Sequence, residues 1–160
     1  MKKISILLFL LFQLSLFGQE NPKEPIKIPL AKEDGKENSG ISFALIEEVP
    51  IFPGCEEVPN EERLSCFHKK ISDHINNNFR YPREARRKNI QGKVMTMFVI
   101  NKEGFIENIV ARGPENCEDC EILEKEAIRI MSKLPRMTPG KQKGKAVKVK
   151  YSQPLNFKLE

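Results

Sequence analysis

The chain has 160 residues, four cysteines and a formal net charge of +5. Once an N-terminal apolar segment and a polar arm are set aside, roughly 110 residues remain, which is room for one fold with one core and not for two. The basic residues of that part, among them Arg83, Arg86, Arg87, Lys88, Lys141, Lys143, Lys145, Lys148 and Lys150, are not interleaved with aromatics. This argues against a single-strand nucleic-acid platform and for a solvated face or one steered toward an acidic partner.

Met1-Lys2-Lys3 followed by the apolar run Ile4 to Phe17 and then Gly18-Gln19 has the layout of a secretory signal peptide. A spanning helix needs about 20 apolar residues, and this run is shorter, so residues 1–19 are expected to be removed on export, with a short uncleaved membrane anchor as the alternative. No cysteine follows until Cys55, so no lipid acceptor is near. Residues 20–48 combine Pro22, Pro25, Pro29, Gly35 and Gly40 with charged residues. Between 20 and 49 there are four lysines against seven acidic side chains. Such a segment buries too little to offset chain entropy and is expected to be a disordered polar arm leading to a folded domain over 49–160.

Val49-Pro50-Ile51-Phe52-Pro53-Gly54 reads as an extended segment entering a loop. Phe67, Ile71, Ile75 and Phe79 recur every four residues, which places them on one helix face. Arg80-Tyr81-Pro82 breaks that helix, and Pro82 can open a second short one, Pro82 to Lys88, at its first position. Lys93 to Ile100 and Phe105 to Ala111 flank the turn Asn101-Lys102-Glu103-Gly104 as a hairpin, with Val94, Thr96, Phe98 and Ile100 on the core face. Leu123, Ala127, Ile130, Met131 and Leu134 are at helical spacing, with Pro135 as the stop. Ala146 to Leu159 is read as one long final strand, in which Pro154 lacks a donor and marks an edge or a bulge. The fold class is α+β: helices packed on a small antiparallel sheet, in the order α-β-β-α-β.

In an oxidising compartment the four cysteines pair. Three connectivities exist; Cys55 with Cys66 and Cys117 with Cys120 is favoured, because each closes a small loop without any assumption about the fold. Cys117-Glu118-Asp119-Cys120 has the spacing of a thiol–disulfide oxidoreductase, but no βαβ context surrounds it and the two acids disfavour a thiolate. Cys55 and Cys66 are too far apart for a compact zinc site, and His68 and His74, six apart, do not stack as a metal pair; both are read as surface residues. No enzyme chemistry, metal or cofactor is expected.

The stretches "YPREARRKNIQGKVMTMFVINKEGFIENIVARG" and "LEKEAIRIMSKLPRMTPGKQKGKAVKVKYSQPLNFKL" resemble the TonB C-terminal domain, in its Bacteroidetes-type version preceded by "VPIFPGCE". The resemblance spans about residues 49 to 159. Tyr81-Pro82, Gly92 before a strand, the Asn101 to Gly104 turn, Pro139-Gly140-Lys141 and Pro154-Leu155-Asn156-Phe157 carry it in order. It implies a periplasmic protein-binding domain that grips TonB-dependent outer-membrane receptors, a short receptor segment adding as a further strand. By position it nominates Ala146, Val147, Lys148, Val149, Lys150 and Tyr151 as the docking edge, with Tyr81 and Pro82 as neighbouring contacts. A proline at Val147 or Val149 is then expected to remove an edge donor and abolish binding. The short apolar segment without a histidine departs from the family's motor-coupled anchor, so the resemblance carries receptor binding and not motor coupling. A freely diffusing binding module, or a scaffold that pairs with a second copy through the same edge, is the alternative, followed by a thiol–disulfide oxidoreductase using Cys117 and Cys120.

Overall fold

The computed structural model describes residues 40–159. The expected signal segment 1–19 and residues 20–39 of the arm lie outside the described residues. Helix α1, Asn60–Asn78, follows Pro59 and places Glu61 and Glu62 in its first turn, where acidic groups oppose the positive end of the helix dipole. Phe67 and Ile71 are fully buried one turn apart. The helix ends before Phe79, which has extended backbone while its N–H still donates to the Ile75 carbonyl at 2.8 Å. Helix α2 spans Arg83–Arg87, one residue later than expected. Pro82 is its N-cap, at ψ 132°, rather than its first helical residue.

Strands β2, Gly92–Ile100, and β3, Ile106–Arg112, form the expected hairpin. Val94, Thr96, Phe98 and Ile100 are all buried, as the period of two requires. Thr96 is the one buried polar side chain among them, and its hydroxyl donates to the Gln153 carbonyl at 2.7 Å. Helix α3, Glu121–Met131, buries Leu123, Ala127, Ile130 and Met131; Leu134, expected on the same helix, is buried from the loop beyond it. The final strand is not continuous. Lys141–Gln142 (β4) and Lys145–Ala146 (β5) form a two-stranded ribbon, and β6 begins only at Val149 and runs to Phe157.

One further strand was not anticipated. Ile41–Ser42 (β1) pairs in parallel with Val149 and Lys150, so the sheet order is β1-β6-β2-β3. Glu47 and Glu48 are also held: the Glu48 N–H donates to the Lys141 carbonyl, the Lys141 N–H donates back, and Glu47 accepts from the Lys143 N–H. The end of the arm, 40–48, is therefore part of the fold. Both helices α1 and α3 lie on one face of the sheet and close the core there, a two-layer arrangement.

The disulfides are Cys55–Cys66, with Cα atoms 6.1 Å apart, and Cys117–Cys120, at 5.5 Å, the pairing favoured from the sequence. His68 is exposed, but His74 is half-buried, with a ring nitrogen 3.0 Å from the Ile130 carbonyl. That carbonyl is one of the last four of α3, which have no partner within the helix. The hairpin turn is built by Asn101, whose side-chain oxygen accepts from the Glu103 and Phe105 N–H groups. Gly104 there has φ 87°, and its carbonyl accepts from Met137; a Cβ would run into the Met137 carbonyl. Gly104→Ala should cost about 2–4 kcal/mol through backbone strain and lost contact. Thermal unfolding should show a fall in Tm of about 10 °C or more.

Candidate functional site

Strand β6 is bound to β2 by nine consecutive residue pairs, from Gly92–Phe157 to Ile100–Val149. Among the described residues, its other side is covered only where β1 lies. The Ile41 N–H donates to the Lys148 carbonyl at 2.7 Å, so even-numbered residues direct their backbone groups outward. Since these directions alternate along a strand, Lys150, Ser152, Pro154 and Asn156 face the outer edge, and Val149, Tyr151, Gln153, Leu155 and Phe157 face β2. The Thr96 hydroxyl bond to Gln153 agrees with that parity. Pro154 marks an edge, as the sequence suggested, and its missing N–H falls outside the β2–β6 ladder.

The parity divides the nominated residues. Lys148 and Lys150 present backbone groups outward. Val147 instead donates its N–H to the Gly140 carbonyl at 3.0 Å, and Ala146 pairs with Lys141 in the ribbon. Proline at Val147 or Val149 would thus break internal bonds, not remove an outward donor. Tyr151 is a core residue, 7% exposed, and burial pushes its phenol up to about 12.

Tyr81 and Pro82 sit by the other end of the edge. The Tyr81 hydroxyl donates to the Ile90 carbonyl at 2.6 Å, and its ring packs edge-on against Phe157 with centroids 6.0 Å apart. Burial raises its pKa, with Arg86 acting in the opposite direction. At about 3.3 Å per residue, the length of β6 puts Tyr81 roughly 26 Å from the β1 end, so it cannot act together with Ala146 on a short ligand.

Between those ends the open edge borders a groove of about 350 Å³, lined on the helix side by Ser72, Ile75, Asn76 and Phe79 and on the strand side by Gln153 to Asn156. Sequence reasoning missed this groove. Phe79 was assigned to the buried helix face, whereas its departure from α1 turns it toward Phe157, 5.1 Å away. The position of α1 beside the edge is fixed by Arg129 of α3, which donates to the Asn78 carbonyl and to Glu126, both at 2.6 Å. At the entrance of β6, Lys148 Nζ lies 2.8 Å from Glu107 Oε1 across β2.

The family described as Gram-negative bacterial TonB protein C-terminal matches residues 77–159. The chain belongs to this family. The matched span runs from the end of α1 through β6 and includes every strand-side residue of the groove. Two NMR solution structures of the TonB C-terminal domain of Helicobacter pylori are similar to it. The longer is 25% identical, covering 66% of this chain and 89% of its own at a TM-score of 0.42. The shorter is 25% identical, covering 59% and 97% at 0.38. No curated protein matches the chain. TonB C-terminal domains are non-enzymatic protein-interaction domains of the cell envelope, involved in energy-coupled transport across the outer membrane.

The ion pair that anchors the entrance of β6 gives a pH signature. The bond from Lys148 holds the Glu107 carboxyl below its ordinary value of 4.5, against the upward effect of desolvation. A lowered folded pKa means that the stabilisation is complete above about pH 5 and is lost as pH falls through the folded value. Denaturant titrations between pH 6 and 3 should show a smaller loss of stability for Glu107→Gln than for the parent chain.

Proposed function

We propose that the outer edge of β6 docks an extended segment of a TonB-dependent outer-membrane receptor by strand addition, and that the protein thereby supports energy-dependent transport from the periplasmic side. The reading rests most heavily on the outward-facing backbone of Ser152 to Asn156, which no other strand among the described residues covers. The Ser152 and Asn156 N–H groups and three carbonyls provide the ladder, and such main-chain bonds supply affinity while side-chain pockets supply selectivity. The adjoining groove would take a side chain of the added segment, with Ile75, Phe79 and Leu155 as its apolar lining and Asn76 and Asn156 as its polar rim. Tyr81 and Pro82 flank the far end of the edge, and Lys148 and Lys150 the near end. In this reading the docking domain expected over 49–160 also takes in residues 40–48, which the sheet and the ribbon hold.

Proline is tolerated on an edge whose N–H faces solvent, so Ser152→Pro removes an outward donor while leaving the β2–β6 ladder intact. Extended peptides from the periplasmic segments of TonB-dependent receptors in the same envelope should bind this variant at least about tenfold more weakly. One lost backbone bond accounts for about 1 kcal/mol of that, and the ring obstructs the rest of the ladder. Ser152→Ala should bind as the parent does, and undiminished binding by a folded Ser152→Pro chain would remove the edge from consideration. A dimer that forms with rising concentration and disappears in Ser152→Pro would instead assign the edge to pairing between two copies.

A further inference from the structure

We propose that the segment 40–45 is a resident, displaceable ligand of the docking edge, so that a receptor strand reaching across the whole of β6 competes with the protein's own chain. This rests on the reading of β6 as the docking strand. The segment occupies the edge as a foreign strand would. Ile41 and Ser42 lie in register with Val149 and Lys150, and the Ile41 N–H takes the Lys148 carbonyl. With β1 in place, the outward groups from Lys148 to Lys150 are covered and those of Ser152 to Asn156 are left. A partner confined to the uncovered stretch has two N–H groups to bind, because Pro154 offers none. A longer ladder needs the groups that β1 holds.

The construction of β1 suits release. Only two residues are paired, and a net gain of about 1 kcal/mol per hydrogen bond does not exceed the entropy of ordering the same backbone, about 1–2 kcal/mol per residue. Ser42, Ala44 and Leu45 are exposed, Leu45 by 76%. The segment's hold comes from one side chain: the Phe43 ring lies 4.7 Å from Phe67 and 4.8 Å from Tyr151, centroid to centroid. Downstream, the bonds between Glu48 and Lys141 fasten the chain independently, so 40–45 can lift without loosening the ribbon. Gly40 passes so close to the strand that a Cβ there would lie 2.9 Å from the Lys148 carbonyl oxygen. The geometry therefore also states a preference: a strand taking this place needs glycine opposite Lys148 and an aromatic residue three positions later.

The test uses the full chain and a fluorescent synthetic peptide with the sequence of residues 40–46. Two variants free the edge by different routes: Gly40→Val through the clash with Lys148, and Ile41→Pro combined with Phe43→Ala through loss of the bond and the ring. Far-ultraviolet circular dichroism and a cooperative melt establish that each is folded. A tethered copy competes at an effective concentration on the order of millimolar, so each variant should bind the peptide at least about tenfold more tightly than the parent chain. Equal affinity in parent and variants, or no binding to the folded variants, overturns the proposal. Receptor peptides supply the second arm. If they bind parent and variants alike, docking stands and the resident ligand falls. If they bind none while the 40–46 peptide binds the variants, the resident ligand stands and receptor docking falls.

Discussion

The ladder between β2 and β6 decides what the surface of this domain can offer. Nine residue pairs in unbroken register commit one half of the backbone groups of β6 to an internal partner, and the pleat then sends the other half outward without further instruction. The same ladder buries Val149, Tyr151, Leu155 and Phe157 against α1 and α3. A substitution that disturbs it would therefore affect both the core and the edge. The Glu107–Lys148 pair and the Thr96 bond to Gln153 reinforce this ladder at its entrance and its middle.

Much of the architecture was legible because it depends on periodicity. Alternation at Val94, Thr96, Phe98 and Ile100, and the spacing of Phe67 and Ile71 or of Leu123, Ala127 and Ile130, report burial directly. The turn at Asn101 to Gly104 was legible because a positive φ selects glycine. The outer edge of β6 was legible as a region and not as a set of atoms. Whether Val149 or Lys150 points its N–H outward depends on which neighbour takes β6, and the sequence of β6 alone carries no sign of that choice. Strand β1 escaped for a related reason: two residues in a polar stretch have no period, and their partners are more than a hundred positions away. The only local trace is Gly40-Ile41-Ser42-Phe43, an apolar pair two apart behind a glycine. His74 gave no signal either, because its partner is a carbonyl, and carbonyls are invisible in sequence.

Phe79 shows how a correct period can still misplace a side chain. It falls on the same helical face as Phe67, Ile71 and Ile75, yet the approach to Pro82 ends the helix one residue before it. The ring is redirected from the core to the boundary between α1 and β6, where it becomes a wall of the groove. The conflict between helical spacing and an approaching proline thus shapes the surface next to the edge.

Pro154 carries a consequence for life at high concentration. An uninterrupted outer edge on β6 would be a template for any unpaired strand, including those of half-folded neighbours, and such edges seed aggregation. A proline facing outward at the centre of the exposed stretch interrupts that template, since a strand laid across it must leave one of its own carbonyls without a donor. Only a segment whose sequence gains enough elsewhere, from the groove or from the end near Tyr81, offsets that penalty. The residue that looks like a flaw in the strand thus raises the cost of pairing for any segment that gains nothing elsewhere.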